Sequence, residues 1–340
     1  FGEAHIIKLE QNYRSTKTIL ECAWAVVSKN TSRAEKKLWT DNQQGEKLSL
    51  IECRDERDES WKILKIIRDE TVHGSFGFDD LVILYRTNAQ SRAVEDVLRR
   101  EGVPYEIIGG IKFYARKEVK DVLAYLRLIV NPTDGVSFDR IVNFPVRGIG
   151  KTTIEKIHTH AKENDLSYLQ VLEDLGKLSV GGKQKKSLHE FNRLIHKFRN
   201  SYKEQNAANI TRDLLLEIDL QNYYENQNTQ EALERWGNVE ELLNSITDFQ
   251  DNRYESGLRE FLEEVSLLTD IDRWNASDKA VTLMTIHSAK GLEFPVVMIV
   301  GLEEGLFPLG PQSYELEELE EERRLFYVAV TRAKKKVYLS

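Results

Sequence analysis

The chain has 340 residues, 41% of them hydrophobic, and its 48 Lys and Arg are outnumbered by 56 Asp and Glu, a formal net charge of -8. This length exceeds one ordinary domain and can fill sizeable cores, whereas the negative balance excludes a protein that coats nucleic acid by bulk charge. No apolar run is long enough to cross a bilayer, Phe1-Gly2-Glu3-Ala4-His5 lacks a signal-peptide pattern, and Cys22 and Cys53 have no partners at metal-ligand spacing, so a soluble cytoplasmic protein is expected.

In chain order, the pattern predicts a strand over residues 5–9 and a helix over 16–30 capped by Ser15 or Thr16. Between them stands Gln11-Asn12-Tyr13-Arg14-Ser15. A ring and a guanidinium at such a junction can stack on a base and meet a phosphate, although Tyr-Arg beside a helix cap more often serves surface packing. Strands at 48–53, 81–85 and 105–108 then alternate with helices at 59–72 and 89–101, the second stopped by Gly102, and this βαβ order implies a parallel sheet. Arg86-Thr87-Asn88-Ala89-Gln90-Ser91-Arg92 falls at a strand-to-helix junction. Arg86, Asn88 and Arg92 offer donors to phosphate oxygens there, and a capped helix start is the plainer alternative.

From 114 to 275 strand signals nearly vanish. Val119, Leu123, Leu126 and Ile129 mark one amphipathic helix, Leu188, Phe191, Leu194, Ile195 and Phe198 another, and further helical patterns cover 232–249 and 258–268. A helical block spliced into an α/β unit reads as an insertion, which assigns 1–113 and 276–340 to one domain and 114–275 to the other, with hinges near Gly109-Gly110 and over 270–278. Gly148-Ile149-Gly150-Lys151-Thr152-Thr153 looks like the end of a P-loop, but Pro145 stands where that loop needs glycine, which excludes a nucleotide site there. Two readings remain. Gly148 and Gly150 form the turn of a helix-hairpin-helix whose amides approach a DNA phosphate, with Thr152 capping the next helix, or the segment is an ordinary tight turn. Residues 177–203 concentrate Lys183, Lys185, Lys186, Arg193, Lys197, Arg199 and Lys203 against Glu190, either a stripe that tracks a phosphate backbone or a solvated helix face.

Two apolar runs, 281–286 and 296–302, suit strands buried on both faces, and the polar block His287 to Phe294 between them falls at a sheet edge where ligands bind. An acidic stretch then leads into Arg323-Arg324-Leu325-Phe326-Tyr327-Val328-Ala329-Val330-Thr331-Arg332-Ala333. Helical spacing of its apolar residues puts Arg332 near a helix end, where a cation commonly completes the C-terminus.

Asn12-Tyr13-Arg14-Ser15, Arg86 to Arg92, Thr285 to Phe294 and Glu322 to Ala333 resemble, in order, motifs IV, IVa, V and VI of the UvrD/PcrA/Rep group of superfamily 1 DNA helicases. The likeness covers nearly the whole chain. It implies the C-terminal half of such a helicase, a RecA-like α/β parallel sheet of the P-loop NTPase type interrupted by a mobile all-helical domain. It also implies ATP as ligand, with Tyr13 on the adenine, Arg14 at the terminal phosphate, Glu293 on a ribose hydroxyl and Arg332 as arginine finger. Single-stranded DNA would meet Arg86, Asn88, Arg92, Thr285 and His287, with Lys290 in the same motif, and duplex junctions would meet Gly148, Gly150 and Thr152.

Leu309 stands where many members of the group have a polar DNA contact, so none is assigned to it. The sequence holds no Walker A lysine loop and no Asp-Glu pair after a buried strand. The ligands for Mg²⁺ are therefore expected on a first motor domain elsewhere in a longer parent chain, none in these residues, and these residues alone are expected not to hydrolyse ATP. The implied activity is 3′-to-5′ translocation and unwinding in repair or replication, with proteins of those processes as partners. A subunit of a RecB/AddA-type helicase-nuclease and a non-enzymatic DNA-binding or docking module are the alternatives.

Overall fold

Five consecutive apolar residues, Leu81-Val82-Ile83-Leu84-Tyr85, form a strand buried on both faces, and the sheet is assembled around it. A computed structural model of the chain describes residues 10–31, 38–252, 257–274, 279–310 and 316–340, so the strand expected over 5–9 and part of the hinge expected over 270–278 lie outside the described residues. Six strands pair in parallel in the order β1-β6-β5-β2-β4-β3, with β1 Ser49–Leu50, β2 Leu81–Tyr85, β3 Tyr105–Ile108, β4 Val281–Thr285, β5 Phe294–Ile299 and β6 Ala333–Leu339. In register, Val82 lies opposite Thr282 of β4 and Val297 of β5.

Side-chain alternation splits β2 between two cores. Leu81, Ile83 and Tyr85 join Ile63, Leu64 and Ile67 of helix α2 (Glu56–Arg68) and Val94 and Leu98 of α3 (Ser91–Arg100). Val82 and Leu84 join Ile19 and Ala23 of α1 (Lys17–Val27) and Leu325, Ala329 and Val330 of a helix over Leu316–Val330. Each such aliphatic side chain removed from water contributes about 1.5–3 kcal/mol, which is why a run without period-2 polarity is stable only with helices on both faces.

Several boundaries differ from expectation. The strand predicted over 48–53 shrinks to Ser49–Leu50, an exposed edge that among the described residues pairs only with β6, because Asp55 already caps α2 by accepting the Asp58 amide at 2.8 Å. Helix α2 therefore starts at Glu56, with Glu56, Asp58 and Glu59 in its first turn, where the helix dipole favours acids. Thr16 occupies the N-cap of α1 without a capping side-chain bond, and the amides of Lys17 and Thr18 are satisfied by the carbonyls of Gln43 and Gln44 at 3.2 and 3.0 Å. Gly102, at φ +68°, closes the turn after α3 as its left-handed preference requires.

The chain divides into two compact units, one of residues 1–112 and 272–340, the other of residues 113–271. The second unit contains α4 (Lys117–Val130), α5 (Gly135–Ile141), α6 (Lys151–Asn164), α7 (Tyr168–Glu173), α8 (Gly182–Ser201), α9 (Ala207–Glu217), α10 (Leu220–Glu225), α11 (Gln230–Asn252) and most of α12 (Leu258–Trp274). Its core centres on Tyr125, Phe138 and Phe191, the last two in an edge-to-face contact at 5.9 Å. The helix Leu316–Val330 completes the series as α13. Among the described residues, no helix is long and apolar enough to cross a membrane.

Candidate functional site

The Tyr13-Arg14 loop is shaped by two asparagines that the sequence pattern did not single out as functional. Asn12 Oδ1 accepts the backbone amides of Arg14 and Ser15, each at 2.9 Å, and Asn42 Nδ2 donates to the carbonyls of Tyr13 and Ser15 at 3.3 and 3.1 Å. Ser15 Oγ donates to the carbonyl of Ala333 at 2.6 Å, which fastens the loop to the first residue of β6. With its backbone held, the loop leaves Tyr13 78% exposed, its hydroxyl donating to Gln11 Oε1 at 2.6 Å. An aromatic ring kept that far out of the core has its face available for stacking.

Arg14 projects from this loop onto the segments that precede β5 and β6. Its Nε is ion-paired with Glu293 Oε2, and its Nη1 donates to the carbonyl of Thr331 at 3.2 Å. Arg332 approaches the same place from the end of α13, donating from Nη1 to the carbonyl of Leu292 at 3.2 Å and from Nε to the carbonyl of Val328 at 3.1 Å. Lys334, absent from the expected site, reaches the other oxygen of Glu293, with Nζ 3.0 Å from Oε1. The signal for it was the Ala333-Lys334-Lys335-Lys336 run, in which strand alternation separates Lys334 and Lys336 from Lys335.

Two cations thus hold one carboxylate, with Arg332 near enough to feel its charge. Hydrogen bonds from Arg14 and then Lys334 hold Glu293 below the usual glutamate range. Burial lowers the pKa of Arg332 from its ordinary value, and the nearby charge of Arg14 adds to this while Glu293 opposes it. Arginine remains cationic at neutral pH even so. The surplus of positive charge beside an exposed ring suits an anionic ligand carrying an aromatic base. The side chains of Arg14, Glu293 and Lys334 are 26%, 41% and 39% exposed, and ion pairs that open to solvent contribute only about 0–1 kcal/mol. A polyanion can therefore replace the carboxylate at little cost.

All of these groups sit at the amino ends of parallel strands, since Glu293 precedes Phe294 and Arg332 precedes Ala333. The polar block 287–294 does not stay at one edge of the sheet. It leaves the carboxyl end of β4 and returns at the amino end of β5, so His287 and Glu293 belong to opposite edges.

At the carboxyl edge, Asn88, Thr285 and His287 gather around a close backbone approach. Gly109, at φ +74°, lies so near Ser288 that a Cβ there would meet the hydroxyl at 2.7 Å, and Ser288 Oγ is 2.9 Å from Thr285 Oγ1. A Cβ on Gly110 would stand 3.4 Å from Asn88 Oδ1, and His287 and Lys290 are exposed. Arg86 and Arg92, also expected to meet DNA, are both ion-paired within this unit. Arg86 makes a two-pronged pair with Glu322 of α13, at 3.0 and 3.1 Å from Nε and 2.9 Å from Nη2. Arg92 is buried on α3, within 3.6 Å of both Glu56 and Asp96. Their charge is already matched by acids of their own unit. The junction is also a capped helix start, with Gln90 Oε1 accepting the amides of Arg86 and Thr87 at 3.0 and 2.8 Å.

In the helical unit, Gly148 adopts φ +74° and Gly150 takes the N-cap position of α6. Thr152 is therefore an exposed residue inside the first turn and does not cap the helix, contrary to expectation. Arg147 forms the turn from within, donating to the carbonyl of Phe144 at 2.7 Å and to the Tyr125 hydroxyl at 2.6 Å, while Asn143 Oδ1 accepts the amides of Arg147 and Ile149. Gly148, Gly150, Lys151 and Thr152 are left facing outward. On α8, Lys183, Lys186, Arg193 and Lys197 are exposed, and Lys197 pairs with Glu217 at 2.8 Å. Among the described residues no group of three His, Cys, Asp or Glu side chains is arranged to hold a metal ion.

A family model described as the UvrD-like helicase C-terminal domain matches residues 7–340. The chain is 41% identical over 346 residues to the ATP-dependent DNA helicase PcrA of Bacillus subtilis (strain 168), a match that covers all of this chain and 47% of that protein. It is 40% identical over 344 residues to the ATP-dependent DNA helicase PcrA of Staphylococcus aureus (strain Mu50 / ATCC 700699), and 39% over 350 residues to that of Leuconostoc citreum, again over all of this chain and 47% and 46% of those proteins. The chain thus spans about half the length of these relatives. With the sheet order, the inserted helices and a family match over nearly every residue in agreement, the chain belongs to the UvrD-like helicase C-terminal domain family.

Proposed function

We propose that this chain is the second motor domain, with its helical insertion, of an ATP-dependent DNA helicase that moves 3′ to 5′ along single strands in DNA repair or replication in the cytoplasm. The observation that carries the reading is the convergence of Arg14, Glu293 and Arg332, brought from three separated segments to the amino edge of one sheet beside the exposed ring of Tyr13. In this reading Tyr13 stacks on adenine, Glu293 accepts a ribose hydroxyl, and Arg14 and Arg332 meet phosphate oxygens, with Arg332 stabilising the charge that develops during transfer. The cationic surroundings of Glu293 fit a triphosphate and not a metal, so Mg²⁺ and the phosphate cradle belong to a first motor domain. Closing of the two motor domains on ATP and their reopening would step the protein along DNA.

Asn88, Thr285 and His287 form the single-strand track in this proposal, at the edge opposite the nucleotide. The segment 286–293 joins the two edges directly and gives a short covalent route between them. The exposed Gly148-Gly150-Thr152 turn meets the duplex ahead of the junction. Turnover of ATP by the full-length protein, stimulated by single-stranded DNA and lost in Arg332→Ala, tests the proposal. Turnover by these 340 residues alone, unaffected by Arg332→Ala, would overturn it.

A further inference from the structure

The two oxygens of Glu293 have different partners: Oε2 takes Arg14 and Oε1 takes Lys334. Arg14 spends its Nε on the carboxylate and its Nη1 on the Thr331 carbonyl, so it offers a phosphate fewer donors while it holds Glu293. Its other contact, Nη1 to the carbonyl of Thr331 at 3.2 Å, already points it toward the strand of chain that carries Arg332. When Arg14 turns to an anion, a carboxylate left beside cations but without a fixed partner would swing among them, and a wandering acceptor cannot read a hydroxyl. Lys334 is placed to prevent this: it stands on β6, one residue past the Ala333 carbonyl that anchors Ser15, and it bonds Oε1, the oxygen that Arg14 does not use.

We propose that Lys334 is a positioning residue for nucleotide selection, holding Glu293 by one oxygen so that the other, vacated by Arg14, faces a sugar hydroxyl. The inference rests on the nucleotide reading above and extends it to a residue outside the expected site. Unloaded, the carboxylate occupies Arg14 as an internal anion. Loaded, phosphate takes Arg14 and the freed oxygen takes the hydroxyl, so the two events are one exchange.

The test is steady-state turnover of the full-length protein with ATP and with 2′,3′-dideoxy-ATP, in the parent, Lys334→Met and Lys334→Arg. A site that hydrogen-bonds a hydroxyl rejects the analogue lacking it, so the parent should prefer ATP by at least about tenfold in kcat/KM. Lys334→Met should bring that preference close to one, mainly by raising KM for ATP, and Lys334→Arg should restore it. A residue that merely stabilised the fold would lower turnover with both nucleotides alike. A Lys334→Met variant that keeps the parent's preference overturns the inference, and so does a parent indifferent to the hydroxyls. A parent without any turnover instead removes the nucleotide reading itself.

Discussion

Arg14 and Glu293 are 279 positions apart and form an ion pair at the amino edge of the sheet. The pair is exposed enough to open readily, and Glu293 is shared with Lys334, so the cluster carries a surplus of positive charge from its own residues.

Arg332 is the residue whose loss should cost most in turnover. Arg332→Ala in the full-length protein is expected to lower kcat about a thousandfold with a much smaller change in ATP binding, since an arginine finger acts on charge present only during transfer. Single-turnover kinetics separates the two. A loss confined to binding would place Arg332 in the ground state only.

The depressed pKa of Glu293 makes a signed prediction about stability. Arg14 and Lys334 bond its charged form, so the folded pKa lies below the unfolded one, which is about 4.3. Its contribution is therefore present above the unfolded value and lost as pH falls through the folded one. Thermal melts of the parent and Glu293→Gln should differ slightly at pH 7 and converge at strongly acidic pH, and a gap that widened on acidification would contradict the pairing.

Leu84 is fully buried in β2, with β4 and β5 as hydrogen-bonded neighbours. Leu84→Ala is expected to cost about 2–5 kcal/mol in urea denaturation, because flanking strands cannot collapse into the space. A loss under about 1 kcal/mol would show the sheet less tightly held than its register indicates.

The Arg86-Glu322 pair is built into the fold. Glu322 also accepts the amide of Leu309 at 3.1 Å, so Glu322→Gln should destabilise by about 2–3 kcal/mol, and adding Arg86→Met should cost less than the sum of the single changes. Strict additivity in a double-mutant cycle would dissolve the pair.

DNA binding by α8 can be read from salt. Replacing Lys183, Lys185 and Lys186 by Glu should weaken binding to a forked DNA and flatten its salt dependence, by about 0.9 in slope for each phosphate the helix no longer neutralises. Equal affinity and equal slope would leave the stripe a solvated face.

Much of this was legible in the sequence, for reasons that are local. β2 and β3 were bounded correctly because apolar β-branched and aromatic runs between turn residues have few other uses, and Gly102 marked the end of α3 through its backbone freedom. The loop around Thr16 was read less well. Its cap depends on carbonyls of Gln43 and Gln44, distant residues that no local rule brings close. Thr152 was misplaced by two positions for a related reason, since Arg147 and Asn143 set the turn and leave Gly150 to begin the helix.

The sequence by itself determined that an α/β sheet is interrupted by helices and where the family motifs lie, because periodicity, turn residues and motif spacing are properties of neighbouring positions. Tertiary structure alone decided which charges are free. Arg86, Arg92, Arg14 and Lys334 are all plain cations on paper, yet Arg86 and Arg92 are matched by acids of their own unit, while Arg14 and Lys334 share a single carboxylate with Arg332 close by. An ion pair depends on distance in space, and only the folded chain sets that distance.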